Sequence, residues 1–293
     1  MNKGLMLQLI GLFLIVQALG IAVAVNLIGM HISVPIFTEN PEDIANAAGL
    51  FVYILIFTGA LLLMILFMKR RPLYWVMKAL ELVAVFATST IVFSVFMPEI
   101  IAFVLAFIIV LLRIIYAQHI MLRNVASVLA VSGAGAVIGV SLGVLPVMVF
   151  IALLAVYDLI AVFKTKHMVV MAKSITKMNL AFTFAMPAKG ELIAEAPSGR
   201  KKGKLVKVPA HMFELGTGDM VIPLMFASSA MNASALAFPL YLVPALLILL
   251  GSIVGLIITV DYSSRHVGKA LPALPLQVVI MLVLYSIAKF AGF

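Results

Sequence analysis

Runs of about twenty apolar residues recur along the whole chain, and no other feature constrains its fold as much. A helix of that length crosses the hydrocarbon core of a bilayer. Lipid offers a backbone no hydrogen-bond partners, so such a run folds as a helix and not as a loop or an open sheet edge. A membrane β-barrel would show short alternating segments instead. Composition agrees. Of 293 residues, 65% are hydrophobic and 11% charged, far too apolar for a water-soluble domain of this size. The sequence predicts an all-α polytopic membrane protein.

Nine spans are predicted, at about residues 5–28, 48–68, 75–97, 99–117, 124–142, 145–165, 218–237, 239–260 and 272–291. The first follows Lys3 and contains Ala22-Val23-Ala24, which resembles a signal-peptidase site. Its length exceeds the usual apolar core of a signal peptide, so a retained span is expected. Basic residues test the count. They fall at Lys3 and in or beside the second, fourth, sixth and eighth connections, and the first, third, fifth and seventh contain none. Nineteen of 20 therefore share one side, with Lys289 the exception. Positive-inside bias places the N-terminus in the cytoplasm and the C-terminus outside. The net charge of +9 thus reads as topology, and no nucleic-acid partner is expected. With no cysteine, disulfides, thiol nucleophiles and thiolate metal sites are excluded.

The one long connection, 167–217, separates a six-helix unit at 1–166 from a three-helix unit at 218–293. It carries the basic run Arg200-Lys201-Lys202-Gly203-Lys204, which suits a solvated cytoplasmic loop and, more weakly, anionic lipid. Leu180–Phe184 and Lys204–Val208 have strand character. The material between them, rich in Pro and Gly, suits a hairpin or a disordered loop, disorder being slightly favoured. No internal repeat is evident, which argues against transporter folds built on repeats.

Ionisable groups inside spans are costly and mark function. Asp158 lies deep in the sixth span, which runs inward towards Lys164; six residues of helix put it about 9 Å from that lysine. Asp219 opens the seventh span, which runs outward. Opposite directions bring the two to similar depth on the cytoplasmic side. Alone, Asp158 could be a satisfied polar group between helices, and Asp219 a helix N-cap. Glu81 has a simpler reading, an ion pair with Lys78 three residues earlier. Together the aspartates suggest a carboxylate pair holding one proton, the ionised member taking a proton from water and the other protonating a scissile carbonyl. That chemistry needs no metal and no cofactor.

Other hydrolytic sites are poorly supported. There is no His-Glu-x-x-His, no Gly-x-Ser-x-Gly, and no histidine deep in a span. Pro272-Ala273-Leu274 opens the ninth span at the same depth as the aspartates. Pro223 cannot donate to the carbonyl of Asp219, so the start of the seventh span is expected to be loosened. Ser228, Ser229, Asn232 and Ser234 suit a wet path or ordinary interhelical hydrogen bonds.

At Tyr157-Asp158, Gly216-Thr217-Gly218-Asp219 and Pro272-Ala273-Leu274 the chain resembles the presenilin and signal peptide peptidase family of intramembrane aspartyl proteases. Nine spans and a long sixth connection resemble that family too. The resemblance implies Asp158 and Asp219 as the catalytic pair. It implies that Tyr157, Gly216, Thr217, Gly218, Pro272, Ala273 and Leu274 shape the site or contact substrate. The substrates it implies are transmembrane helices of other proteins. Compact size without extra domains resembles archaeal presenilin homologues, implying a prokaryotic cell membrane and no obligate partner subunits. Thr217 departs from the family's usual Leu, which puts side-chain preference in question. Without the resemblance, a proton- or ion-coupled transporter using the same aspartates stands beside the protease, with a non-catalytic channel or scaffold behind both.

Overall fold

A computed structural model describes residues 3–164, 180–186, 191–195, 205–209, 213–265 and 272–293. Among the described residues there are nine α-helices: α1 (Lys3–Gly29), α2 (Ile44–Phe67), α3 (Arg70–Ser94), α4 (Glu99–Ile115), α5 (Ile120–Ser141), α6 (Val144–Leu159), α7 (Gly218–Asn232), α8 (Leu242–Arg265) and α9 (Leu274–Phe290). Each falls on one predicted span. Six, namely α1, α2, α3, α5, α6 and α8, are long and apolar enough to cross a membrane. The others have 17, 15 and 17 residues. The seventh span, expected to reach 237, is helical only to Asn232, and the eighth starts at Leu242 instead of 239. Ser234 explains part of this, since its Oγ accepts from Leu236 N–H at 3.3 Å, a local bond that competes with the helix.

Helix starts follow local chemistry. The Asp43 carboxylate caps α2 by accepting from Ala45 N–H at 2.9 Å. Pro98 precedes α4, with Glu99 in its first turn, where an anion suits the helix dipole. Large apolar side chains remain exposed along the helices, among them Ile56, Leu63 and Phe67 of α2 and Ile100, Phe103 and Phe107 of α4. On a soluble protein such a belt would be untenable; here it is the lipid-facing surface.

The bundle is built around α5. In its apolar stretch 61% of residues are buried, against 6% in α2. Glycines let α7 approach closely. A Cβ at Gly139 would overlap the Met225 carbonyl oxygen, and one at Gly135 would lie 2.7 Å from Leu224 Cδ2. Small residues at a helix crossing permit this contact in lipid. Ser132 Oγ donates to Val16 O of α1 at 3.0 Å. Ser229 Oγ and Asn232 Nδ2 of α7 donate to Leu142 O and Val140 O at 2.7 and 2.8 Å. Ser229 and Asn232 therefore make interhelical hydrogen bonds, the plainer of their two expected uses.

Glu81 pairs with Lys78 at 2.8 Å, as its spacing predicts. It also takes Arg113 of α4, whose Nε and Nη2 donate to Glu81 Oε1 at 2.9 and 2.6 Å. Arg113 Nη1 donates to Ala117 O, and all three charged side chains are buried. The sequence placed Arg113 at a span end and gave no sign of this reach between helices.

The long connection contains strands, contrary to the expected disorder. β1 (Thr183–Met186) pairs antiparallel with β4 (Phe213–Gly216), and β2 (Glu191–Glu195) with β3 (Leu205–Pro209). The two stretches with strand character do not pair with each other. Lys204 lies outside the described residues, as does the rest of the basic run. β1 rests on α5 and on the base of α1, with Phe184, Ala185 and Met186 fully buried. That burial fixes the start of α7.

Candidate active site

In α6 the buried residues Val147, Phe150, Ile151, Leu154, Ala155 and Asp158 recur every three or four positions. They form the stripe that a helix turns into a bundle. Asp158 is the last of them and is 4% exposed. Two residues later the helix widens into a π-helical turn, Ile160–Lys164. Such turns gather at functional sites.

Asp219 is reached through β4. Gly216 is the last residue of that strand, pairing with Thr183, and Gly218 is the first of α7. Thr217 between them makes two bonds to one acceptor, its N–H and its hydroxyl donating to Phe182 O at 3.2 and 3.1 Å. The usual Leu at this position would supply only the first. Thr217 holds the N-cap position but makes no side-chain cap bond, and Asp219 lies inside the first turn. The reading of Asp219 as a simple N-cap therefore fails.

The glycines are not bent into left-handed backbone; among described glycines only Gly292 is. Among the described residues a Cβ at Gly216 would meet only Asp219 Oδ2, at an ordinary 3.7 Å, and one at Gly218 would meet nothing within 4 Å. The fold itself does not require glycine at either position. Both leave the flank of Asp219 clear. The expected loosening at Pro223 is not seen as a break, because α7 stays helical through it. Gln17 of α1 reaches the same turn, where its Nε2 donates to Met220 O at 3.0 Å.

Pro272 and Ala273 precede α9, and Ala273, as N-cap, has no side chain with which to cap it. The free N–H of Leu274 is one of the orphan donors of a helix start. It donates to the carboxyl of Asp158. Asp158 thus caps α9 from α6. Tyr157 turns the other way, its ring edge-on to Phe51 of α2 at 6.2 Å and its hydroxyl sharing a hydrogen bond with Thr58.

The fold therefore brings together Asp158, Asp219, Gly216 and Leu274. The two carboxyls lie within electrostatic reach of each other. Among the described residues neither forms a salt bridge. Two carboxyls within such reach of each other cannot both stay ionised cheaply. The sequence did not reveal Phe182 O, Gln17 or the Leu274 N–H as parts of this arrangement. Gln17 is one of three amide side chains in the first span, with Gln8 and Asn26, and nothing in the sequence singles it out from them.

A family profile described as "Signal-peptide peptidase, presenilin aspartyl protease" matches residues 10–291. No curated protein matches the chain. Two solved structures share its fold. One, titled a presenilin family intramembrane aspartate protease in space group C222, has a TM-score of 0.67 at 19% identity, covering 98% of this chain and 99% of the other. The second, of the same description in space group P2, has a TM-score of 0.63 at 20% identity, covering 99% and 98%.

Proposed function

Since the chain belongs to the signal-peptide peptidase and presenilin family of aspartyl proteases, we propose that it cuts peptide bonds within the transmembrane helices of other proteins, using Asp158 and Asp219 to activate one water. It is an aspartic endopeptidase of the intramembrane type and a multi-pass membrane protein. The finer reading is carried by the meeting of Asp158 and Asp219, each from a different helix.

In this reading the ionised carboxylate takes a proton from water as the oxygen attacks the scissile carbonyl. The protonated partner gives its proton to the carbonyl oxygen. The tetrahedral diol then collapses as its C–N bond breaks: the protonated member of the pair gives its proton to the leaving amine, and the ionised member takes one from a diol hydroxyl, which restores the single shared proton. The pair acts as a unit, so base and acid are not assigned to single residues. Leu274 N–H orients Asp158, and Thr217 anchors the turn that carries Asp219. Gly216 and Gly218 keep room beside Asp219 for the substrate backbone.

A helical peptide bond is shielded by its own hydrogen bonds, so the substrate must unwind locally. Each of the two small sheets offers an edge to an extended peptide, and β4 is the strand that runs into the site. We assign substrate addition to β4.

The six-helix unit 1–166 would then supply Asp158, and the three-helix unit 218–293 would supply Asp219 and Pro272–Leu274. Nine crossings, a cytoplasmic N-terminus, an outside C-terminus and a prokaryotic cell membrane belong to the same proposal. So does activity without cofactor or partner subunits. The test is cleavage of a transmembrane substrate by reconstituted protein. Asp158→Ala and Asp219→Ala should each abolish it while the protein stays folded. Full activity in either variant would sink the assignment.

A further inference from the structure

We infer that Asn124 of α5 is a positioning residue for Asp219, acting through β1 and Thr217; this rests on the aspartyl-pair reading above. Asn124 Nδ2 donates to Ala185 O at 2.8 Å, and Ala185 N–H donates to Asn124 Oδ1 at 2.9 Å. The side-chain amide pairs with one backbone residue as a neighbouring strand would. One turn further along α5, Ser127 Oγ donates to Ala181 O at 3.0 Å. Helix α5 therefore grips the segment at Ala181 and Ala185. Between these points lies Phe182, whose carbonyl oxygen takes both bonds from Thr217. Asp219 follows two residues later.

The grip matters because the strands alone are weak. β1 and β4 have four residues each and form a two-stranded ladder, a unit that is marginal by itself. What fixes β1 is α5, the most buried of the membrane-crossing helices. A catalytic group must be held within a fraction of an ångström of its working position, and loops do this poorly. Here the strand and turn that lead into the helix of Asp219 are tied to a rigid helix through Asn124, Ser127 and Thr217. Asn124 also occupies the outer edge of β1 at Ala185, which directs any added strand to the β4 side.

Two measurements on full-length protein in detergent test this. The first is amide hydrogen exchange at Thr217, which needs no substrate. Asn124→Leu, close in shape but unable to make either bond, should speed exchange there by about tenfold or more while exchange in α8 stays unchanged. The second is steady-state cleavage. Asn124→Leu should lower kcat by about tenfold or more with KM nearly unchanged. Asn124→Asp, which keeps one acceptor, should lose less. Thr217→Ser should retain more of kcat than Thr217→Val, and Asn124→Leu with Thr217→Val should cost less than the product of the separate losses. Unaltered Thr217 exchange in Asn124→Leu would overturn the inference, and so would a kcat loss that only tracks the folded fraction. Should the wild-type protein cleave nothing, the protease reading fails, yet the exchange measurement still decides whether Asn124 holds Thr217.

Discussion

The backbone N–H of Leu274 donates to the carboxyl of Asp158, so one side chain both belongs to the aspartate pair and caps a neighbouring helix. The two duties separate on substitution. Asp158→Asn keeps an acceptor for Leu274 and removes the titratable group. It should abolish cleavage with almost no change in melting temperature. Asp158→Ala should abolish cleavage and also lose about 1 kcal/mol, the usual cost of a missing cap. Thermal unfolding of the two variants, side by side, checks this. Equal melting temperatures would mean the bond is not stabilising.

Leu274→Pro approaches the same bond from the donor's side. Proline is tolerated in a first helical turn but has no N–H to give. Cleavage should fall by about tenfold or more while the protein stays folded. Leu274→Ala, which keeps the N–H, should be milder. The ratio of the two kcat values measures the backbone contribution.

Alanine at Gly216 or Gly218 meets no obstacle among the described residues. Either substitution should leave stability within about 1 kcal/mol of wild type, or raise it slightly at Gly218 in the helix. If substrate backbone passes beside Asp219, cleavage should fall nonetheless, mainly through kcat/KM. An unimpaired kcat/KM would remove these glycines from the substrate path.

The paired carboxyls predict a bell-shaped dependence of kcat/KM on pH. On the acid side both become protonated and no base remains; on the alkaline side both ionise and no acid remains. Activity is therefore lost in both directions. A profile that rises to a plateau in either direction would contradict a shared proton.

Glu81 joins two buried cations, Lys78 and Arg113. Removing the carboxylate strands both, and Glu81→Ala should cost about 3–5 kcal/mol. Replacing all three residues with apolar side chains should recover much of that loss. Thermal unfolding decides, and a small effect for Glu81→Ala would mean that water reaches the trio.

The helices were legible because each is encoded locally, in a mainly apolar run of about the length of a membrane span. The aspartate pair was legible because topology alone sets the depth of Asp158 and Asp219. What could not be read was carried by backbone groups or by distant partners. Leu274 matters through an N–H that nearly every residue possesses. β1 finds β4 about thirty residues away, through four-residue strands too short for alternation to show. Arg113 resembled a topological charge at a span end, and only the packing of α3 on α4 turns it onto Glu81. Thr217 was an unexplained departure until Phe182 O supplied its acceptor.

Helix α2 has few fully buried residues, yet it holds Tyr157, the neighbour of Asp158. Its 24 residues extend about 36 Å, longer than a typical hydrocarbon core of about 30 Å. Its tilt is therefore set as much by bilayer thickness as by protein contacts. The lipid around α2 is in this sense a mechanical component of the protein, and acyl-chain length is a variable acting on the residue next to Asp158.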